Sequence, residues 1–122
     1  LTIISTGTET GYVLAAAEML REQGVRARVI GLPTVFPLDE DLILESAQKT
    51  GCVMTVEEHY LQGGLGAAVS ELLSERRPVP VRRLGVPHVY ATSGKYEELL
   101  HYYQLDAEGV CQNALAFLKT IK

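Results

Sequence analysis

Val53-Met54-Thr55-Val56 runs directly into Glu57-Glu58-His59, and the cluster Gly63-Gly64-Leu65-Gly66 follows shortly after. Two carboxylates and an imidazole are the groups of acid–base chemistry, because histidine titrates near neutral pH and a neighbouring carboxylate raises its pKa. The same residue types bind metals. A glycine cluster that opens a helix is the setting for a bound anion.

Each of these chemistries needs a further part. Nucleophilic catalysis would need a serine in a G-x-S-x-G elbow or a cysteine near a histidine, and the sequence has neither. Glu57 and Glu58 are adjacent, so on an extended chain they point to opposite faces. One of them is expected in a loop crevice and the other against a helix or solvent. Three consecutive ligands do not converge on one ion without a turn, and no distant ligand set is evident. His88 and His101 stand alone and read as surface or interface residues. The glycine cluster is neither G-x-G-x-x-G nor a Walker sequence, and no P-loop lysine follows. Glu9, in the loop Gly7-Thr8-Glu9-Thr10-Gly11, would repel a phosphate. Close packing is the reading that remains. Gly66, Ser70 and Ser74 recur at every fourth position, with Gly63 and Ala67 beside them, a small-residue stripe suited to the chain's own sheet or to a second subunit. No catalytic residue and no metal ligand is assigned. Thr8, Glu9, Glu57, Glu58, His59, Gly63, Gly64 and Gly66 are the candidate residues of an interface or switch-point loop.

These residues must be positioned by regular elements. Thr2 to Thr6 is a short β-rich run closed by Gly7, and Thr8 is the expected cap of the helix that follows. Val13, Ala16, Ala17 and Leu20 form one apolar stripe, and Gly24 sits where a helix wants a left-handed residue. Arg28 to Leu32 is a second strand. Asp39 caps a second helix, with Glu40 and Asp41 in its first turn and Leu38 and Ile43 as a staple. Gly51 ends it. Cys52 to Val56 is a third strand. Leu65, Ala68, Val69 and Leu72 mark a third helix that Pro78 stops. Val79 to Leu84 is a fourth strand, which Pro80 sends to a sheet edge. After an irregular connection from Gly85 to Gly94, Tyr96, Leu99, Leu100 and Tyr103 mark a short helix. Tyr96 and Tyr103 are expected in a core seam, with Tyr102 half exposed. Asp106 caps a last helix whose stripe is Val110, Ala114, Phe117, Leu118 and Ile121, stapled by Leu105.

Strand–helix alternation of this kind builds a parallel sheet covered on both faces. The expected fold is α/β, a three-layer α/β/α, Rossmann-like domain with a mostly parallel sheet of about four or five strands, the first strand central, spanning residues 1–122. The winding then reverses between strands one and three. The crevice at their carboxyl ends receives both the first loop and the Glu57–Gly66 segment.

Bulk properties narrow the function. A net charge of −4 with only 11 Lys and Arg argues against nucleic acid. No apolar run has the length of a membrane span, and no signal peptide is seen. Cys52 and Cys111 read as reduced, buried thiols of a cytoplasmic protein. The start at Leu1 reads as a cut from a longer chain.

Ile3-Ile4-Ser5-Thr6-Gly7-Thr8-Glu9, Val29-Ile30-Gly31-Leu32-Pro33-Thr34, Pro37-Leu38-Asp39, Val56-Glu57-Glu58-His59, Gly63-Gly64-Leu65-Gly66, Ser93-Gly94 and Leu99-Leu100 to Tyr103 come in an order and spacing that resembles the C-terminal domain of transketolases, closest to the short, split forms. The chain departs from that pattern at His88, where an acid is usual, at Tyr90 in place of Phe, and at Gln104 in place of Gly. The resemblance implies an enzyme that moves two-carbon ketol units between sugar phosphates in the pentose phosphate pathway. It implies thiamine diphosphate and a divalent metal (Mg) held by the other domains, none bound by this one. It also implies dimer contacts made by this domain, within a homodimer or a heterotetramer with an N-terminal subunit. A further implication is an extra antiparallel edge strand before the strand that starts at Thr2. The related third domains of 2-oxoacid dehydrogenase β subunits and of deoxyxylulose-phosphate synthases are alternatives. So is a free-standing module for an anionic metabolite. The isolated chain is expected to be inactive.

Overall fold

A computed structural model describes residues 1–33, 35–87 and 95–121, with the backbone alone at positions 59 and 60. The elements are β1 (Thr2–Thr6), α1 (Glu9–Glu22), β2 (Arg28–Leu32), α2 (Glu40–Thr50), β3 (Val53–Tyr60), α3 (Leu65–Arg76), β4 (Val81–Val86), α4 (Tyr96–Tyr102) and α5 (Ala107–Thr120). The four strands form one parallel sheet in the order β2-β1-β3-β4. β1 is therefore internal, and its residues Thr2 to Ser5 are buried on both faces of the sheet.

Alternation along the strands assigns the layers. Ile3, Met54 and Val56 pack with Val13, Ala16 and Leu20 of α1, Leu100 of α4, and Val110, Ala114 and Phe117 of α5. Ile4, Ile30, Leu32 and Val53 pack with Ile43 and Ala47 of α2 and with Leu65, Val69 and Leu73 of α3. Ile3 and Ile4 are wholly buried on opposite faces, so a one-residue slip of β1 would exchange the contents of both cores.

The helix starts follow local chemistry in two of the three cases read from sequence. The Asp39 carboxylate accepts from Leu42 N and that of Asp106 from Gly109 N. Gly51 ends α2 in the left-handed region. Thr8 differs. Its backbone is already helical and its hydroxyl caps nothing, because Glu58 holds it instead.

Two strand limits also differ from expectation. β3 continues past Val56 to Tyr60, with a register shift between those residues, because β4 keeps pairing as far as Val86 and Leu61 N still reaches Val86 O at 3.1 Å. The acids therefore lie on a strand rather than after one. β4 starts at Val81 rather than Val79: Pro80 has no N–H for the ladder, though its carbonyl accepts from Val53 N at 3.0 Å.

The connection between α4 and α5 is tight. Gln104 has φ +60°, and its backbone lies against Gly109. A Cβ on Gly109 would meet Gln104 O at 2.5 Å and its carbonyl carbon at 2.6 Å. Backbone cannot swing aside as a side-chain end can. Gly109→Ala is expected to lower unfolding stability by about 3 kcal/mol, the upper end of overpacking costs. Urea unfolding at fixed m-value measures it, and an unchanged midpoint would refute the contact.

Candidate functional site

β1 and β3 run in parallel with Ser5 opposite Val56, which sets Thr6 and Glu57 at the same end of the sheet. The winding reverses between these two strands, so the loop after β1 and the segment after Val56 share one crevice, the position where open α/β sheets bind their ligands.

Glu57 is wholly buried and serves the chain itself. Its Oε1 accepts from Leu65 N at 2.8 Å and its Oε2 from Gly66 N at 2.7 Å. The carboxylate thus takes two of the free N–H groups at the start of α3 and sits at the positive end of the helix dipole. Gly64 occupies the N-cap position with no side chain to do so, which leaves room for a cap delivered from β3. Gly63 supplies the turn with φ +76°. Gly66 lets α3 close on its own sheet: a Cβ there would stand 2.8 Å from Thr55 Oγ1 and 3.0 Å from Arg83 Cδ. Of the two expected partners for the small-residue stripe, Gly66 meets the sheet. Ser74, farther along, is exposed and turns its hydroxyl to Glu71 O. The expected attraction of this helix start for phosphate is met by Glu57, so the N–H groups of Leu65 and Gly66 are not free for an external anion.

Glu58 points the other way, into the crevice. The Thr8 hydroxyl donates to its Oε1 at 2.9 Å, and the Tyr96 phenol donates a short hydrogen bond to the same oxygen. That carboxylate raises the Tyr96 pKa, chiefly through the hydrogen bond. Tyr96 itself is 51% exposed, not part of the core seam expected for it. Its ring stays at the surface because Glu58 holds the hydroxyl at the crevice mouth.

Glu9 is wholly buried; neither of its oxygens accepts a hydrogen bond, and its protonated carboxyl has only the neighbouring Glu58 as hydrogen-bond partner. Burial first, and then the Glu58 carboxylate beside it, push its pKa up to about 8. The sequence carries a signal for this. Glu9 falls on the same helical stripe as Val13, Ala16 and Leu20, all of them buried. Tyr96 has no such signal, since its partner is far away in the chain. The side chain of His59, and His88 and Tyr90, lie outside the described residues. Among the described residues no group of three His, Cys, Asp or Glu side chains could hold a metal ion. None of the described helices is long and apolar enough to cross a membrane.

A doubly wound parallel α/β domain is defined by this sheet, with its switch-point acids engaged by the chain's own backbone and hydroxyls. Residues 1–110 match the family described as "Transketolase, C-terminal domain". The chain belongs to that family. It is similar to one subunit of the apulose-4-phosphate transketolase of Phocaeicola vulgatus, 45% identical over 119 residues, covering 98% of this chain and 38% of that protein. It is 42% identical over 118 residues to 1-deoxy-D-xylulose-5-phosphate synthase 1 of Geobacter sulfurreducens, covering 95% of this chain and 18% of that one. Among solved structures, "Split gene transketolase, inactive beta4 tetramer" superposes with a TM-score of 0.91 at 42% identity, over 97% of this chain and 39% of that one. The chain therefore spans less than two fifths of these relatives.

Proposed function

We propose that this chain is the C-terminal domain of a thiamine diphosphate-dependent transketolase of the split type, which transfers two-carbon ketol units between sugar phosphates. The observation that carries this is the near-complete coverage of the chain by the apulose-4-phosphate transketolase subunit and by the split-gene structure. The domain's part is to build the assembly, a homodimer or a heterotetramer with an N-terminal subunit. Its crevice residues Thr8, Glu58 and Tyr96 form the contact surface, with Glu9 buried beneath them, while Glu57 and Gly63, Gly64 and Gly66 hold α3 in place behind it. The described residues do not fit a diphosphate and its metal. The helix start best suited to an anion is filled by Glu57, and no three-ligand cluster stands near it. This supports a cofactor held by other domains. The free, buried Cys52 and Cys111 support a cytoplasmic setting.

The purified chain is expected to show no ketol transfer from xylulose 5-phosphate, and activity is expected when the thiamine-binding polypeptide is added. Turnover by the chain alone, or none by the reconstituted pair, would overturn the reading. The deoxyxylulose-phosphate synthase match favours a second reading. In that case the reconstituted enzyme would form 1-deoxy-D-xylulose 5-phosphate, a product that separates the two readings.

A further inference from the structure

We propose that Glu58 and the slot beside it receive a single basic side chain, arginine or lysine, from the remaining domains of the full enzyme; this rests on the assembly role proposed above. Glu58 projects into a cavity of about 160 Å³ whose walls include Val86, Leu99, Leu100 and Leu105, with Tyr96 at its mouth. An apolar slot ending in a carboxylate fits a side chain with an aliphatic stem and a charged head. The exposed Tyr96 ring offers that head a π face.

A second observation points to the same occupant. Glu9 lies behind Glu58, wholly buried, with neither oxygen accepting a hydrogen bond. Buried carboxyls are ordinarily hydrogen-bonded or paired with a charge. Among the described residues, no lysine, arginine or histidine pairs with Glu9 or Glu58; the ion pairs are Arg21–Glu18, Lys49–Glu45, Arg76–Glu40 and His101–Asp106. Glu9 lies within hydrogen-bonding reach of Glu58 when protonated, and the described donors to Glu58 from its solvent side are the neutral hydroxyls of Thr8 and Tyr96. A cation seated at Glu58 supplies counter-charge to that carboxylate and lowers the cost of ionising Glu9 behind it. An anionic ligand would meet two carboxyls, and a bare metal ion would find only two ligands of its kind.

The test measures association between this chain and the polypeptide bearing the thiamine-binding domains, by titration calorimetry at about 50 and about 300 mM salt. Glu58→Gln is expected to weaken association roughly 10- to 100-fold at the lower salt and to flatten its salt dependence, as loss of one partner of a desolvated charge pair does. Leu99→Arg, which fills the slot with the chain's own cation, is expected to weaken it comparably and covers the case in which Glu58→Gln fails to fold. Association insensitive to both variants overturns this inference alone. No association of the unaltered pair overturns the assembly reading as well. Thermal stabilisation of the unaltered chain by Mg²⁺ alone, lost in Glu58→Gln, would assign the slot to a metal ion and overturn the proposal.

Discussion

Glu57→Ala is expected to cost about 3–5 kcal/mol of unfolding stability, because it strands two buried donors at about 1–3 kcal/mol each and removes the anion from the helix start. The donors are Leu65 N and Gly66 N, each within 2.8 Å of a separate Glu57 oxygen. No side chain at Gly64 can substitute. For a chain of this size the loss corresponds to a fall in melting temperature of roughly 10–20 °C. Glu57→Gln keeps one acceptor but turns an NH₂ group toward the second donor, so it should recover less than half of the loss. A melting temperature within about 2 °C of the unaltered chain in Glu57→Ala would show that the cap carries none of the stability assigned to it. The effect is structural, and Glu57 is for that reason distinct from its neighbour. Glu58 is expected to matter for association, while Glu57 matters for folding of the chain itself.

Glu9→Gln should stabilise the chain, and by an amount that depends on pH. In the folded state Glu9 binds its proton up to about pH 8, against a usual value of 4.5, owing first to burial and then to Glu58, with Asp106 a lesser contributor. Between those two values the folded chain holds a proton that the unfolded chain has released. Stability from this group is therefore complete below pH 4.5 and is lost as pH rises toward 8. Above that, the buried carboxylate is ionised in both states and the full penalty stands. Glutamine has the same shape and no proton to lose. Below pH 4.5 the variant and the unaltered chain should unfold alike, and the difference should then grow to at most about 5 kcal/mol, at about 1.4 kcal/mol for each unit of displacement. Urea midpoints measured across the range from about pH 5 to about pH 8.5 would follow it. Parallel curves for the two proteins would mean that Glu9 is ionised in the folded state near its ordinary pKa. A cation entering at Glu58 should shrink this difference, since it stabilises the charged form of Glu9.

The two predictions separate what is legible in the residues from what is not. Strand–helix alternation and apolar periodicity are local properties, and they are enough for the parallel sheet, the central β1, the caps at Asp39 and Asp106, and the crevice between β1 and β3. Family membership is legible too, since its motifs stand in order along nearly the whole chain. The opposite pointing of Glu57 and Glu58 also follows from extended-chain geometry. The partners of those acids do not. Thr8 reads as a helix cap because short hydroxyl side chains usually are, yet a carboxylate brought to it by the sheet holds its hydroxyl. Tyr96 reads as core because it lies in register with Leu99, Leu100 and Tyr103, yet its phenol is drawn outward by the same carboxylate.

Backbone periodicity and capping act over a few residues, so residue order is enough to set the layers, the winding and the end of the sheet where charge collects. Contacts across the fold make Glu57 close the start of α3, leave Glu58 facing the crevice and seal Glu9 from water. Those outcomes depend on which groups are brought within about 3 Å of one another across the fold and on how far water is excluded from them. Neither quantity is written in the spacing of residues along the chain.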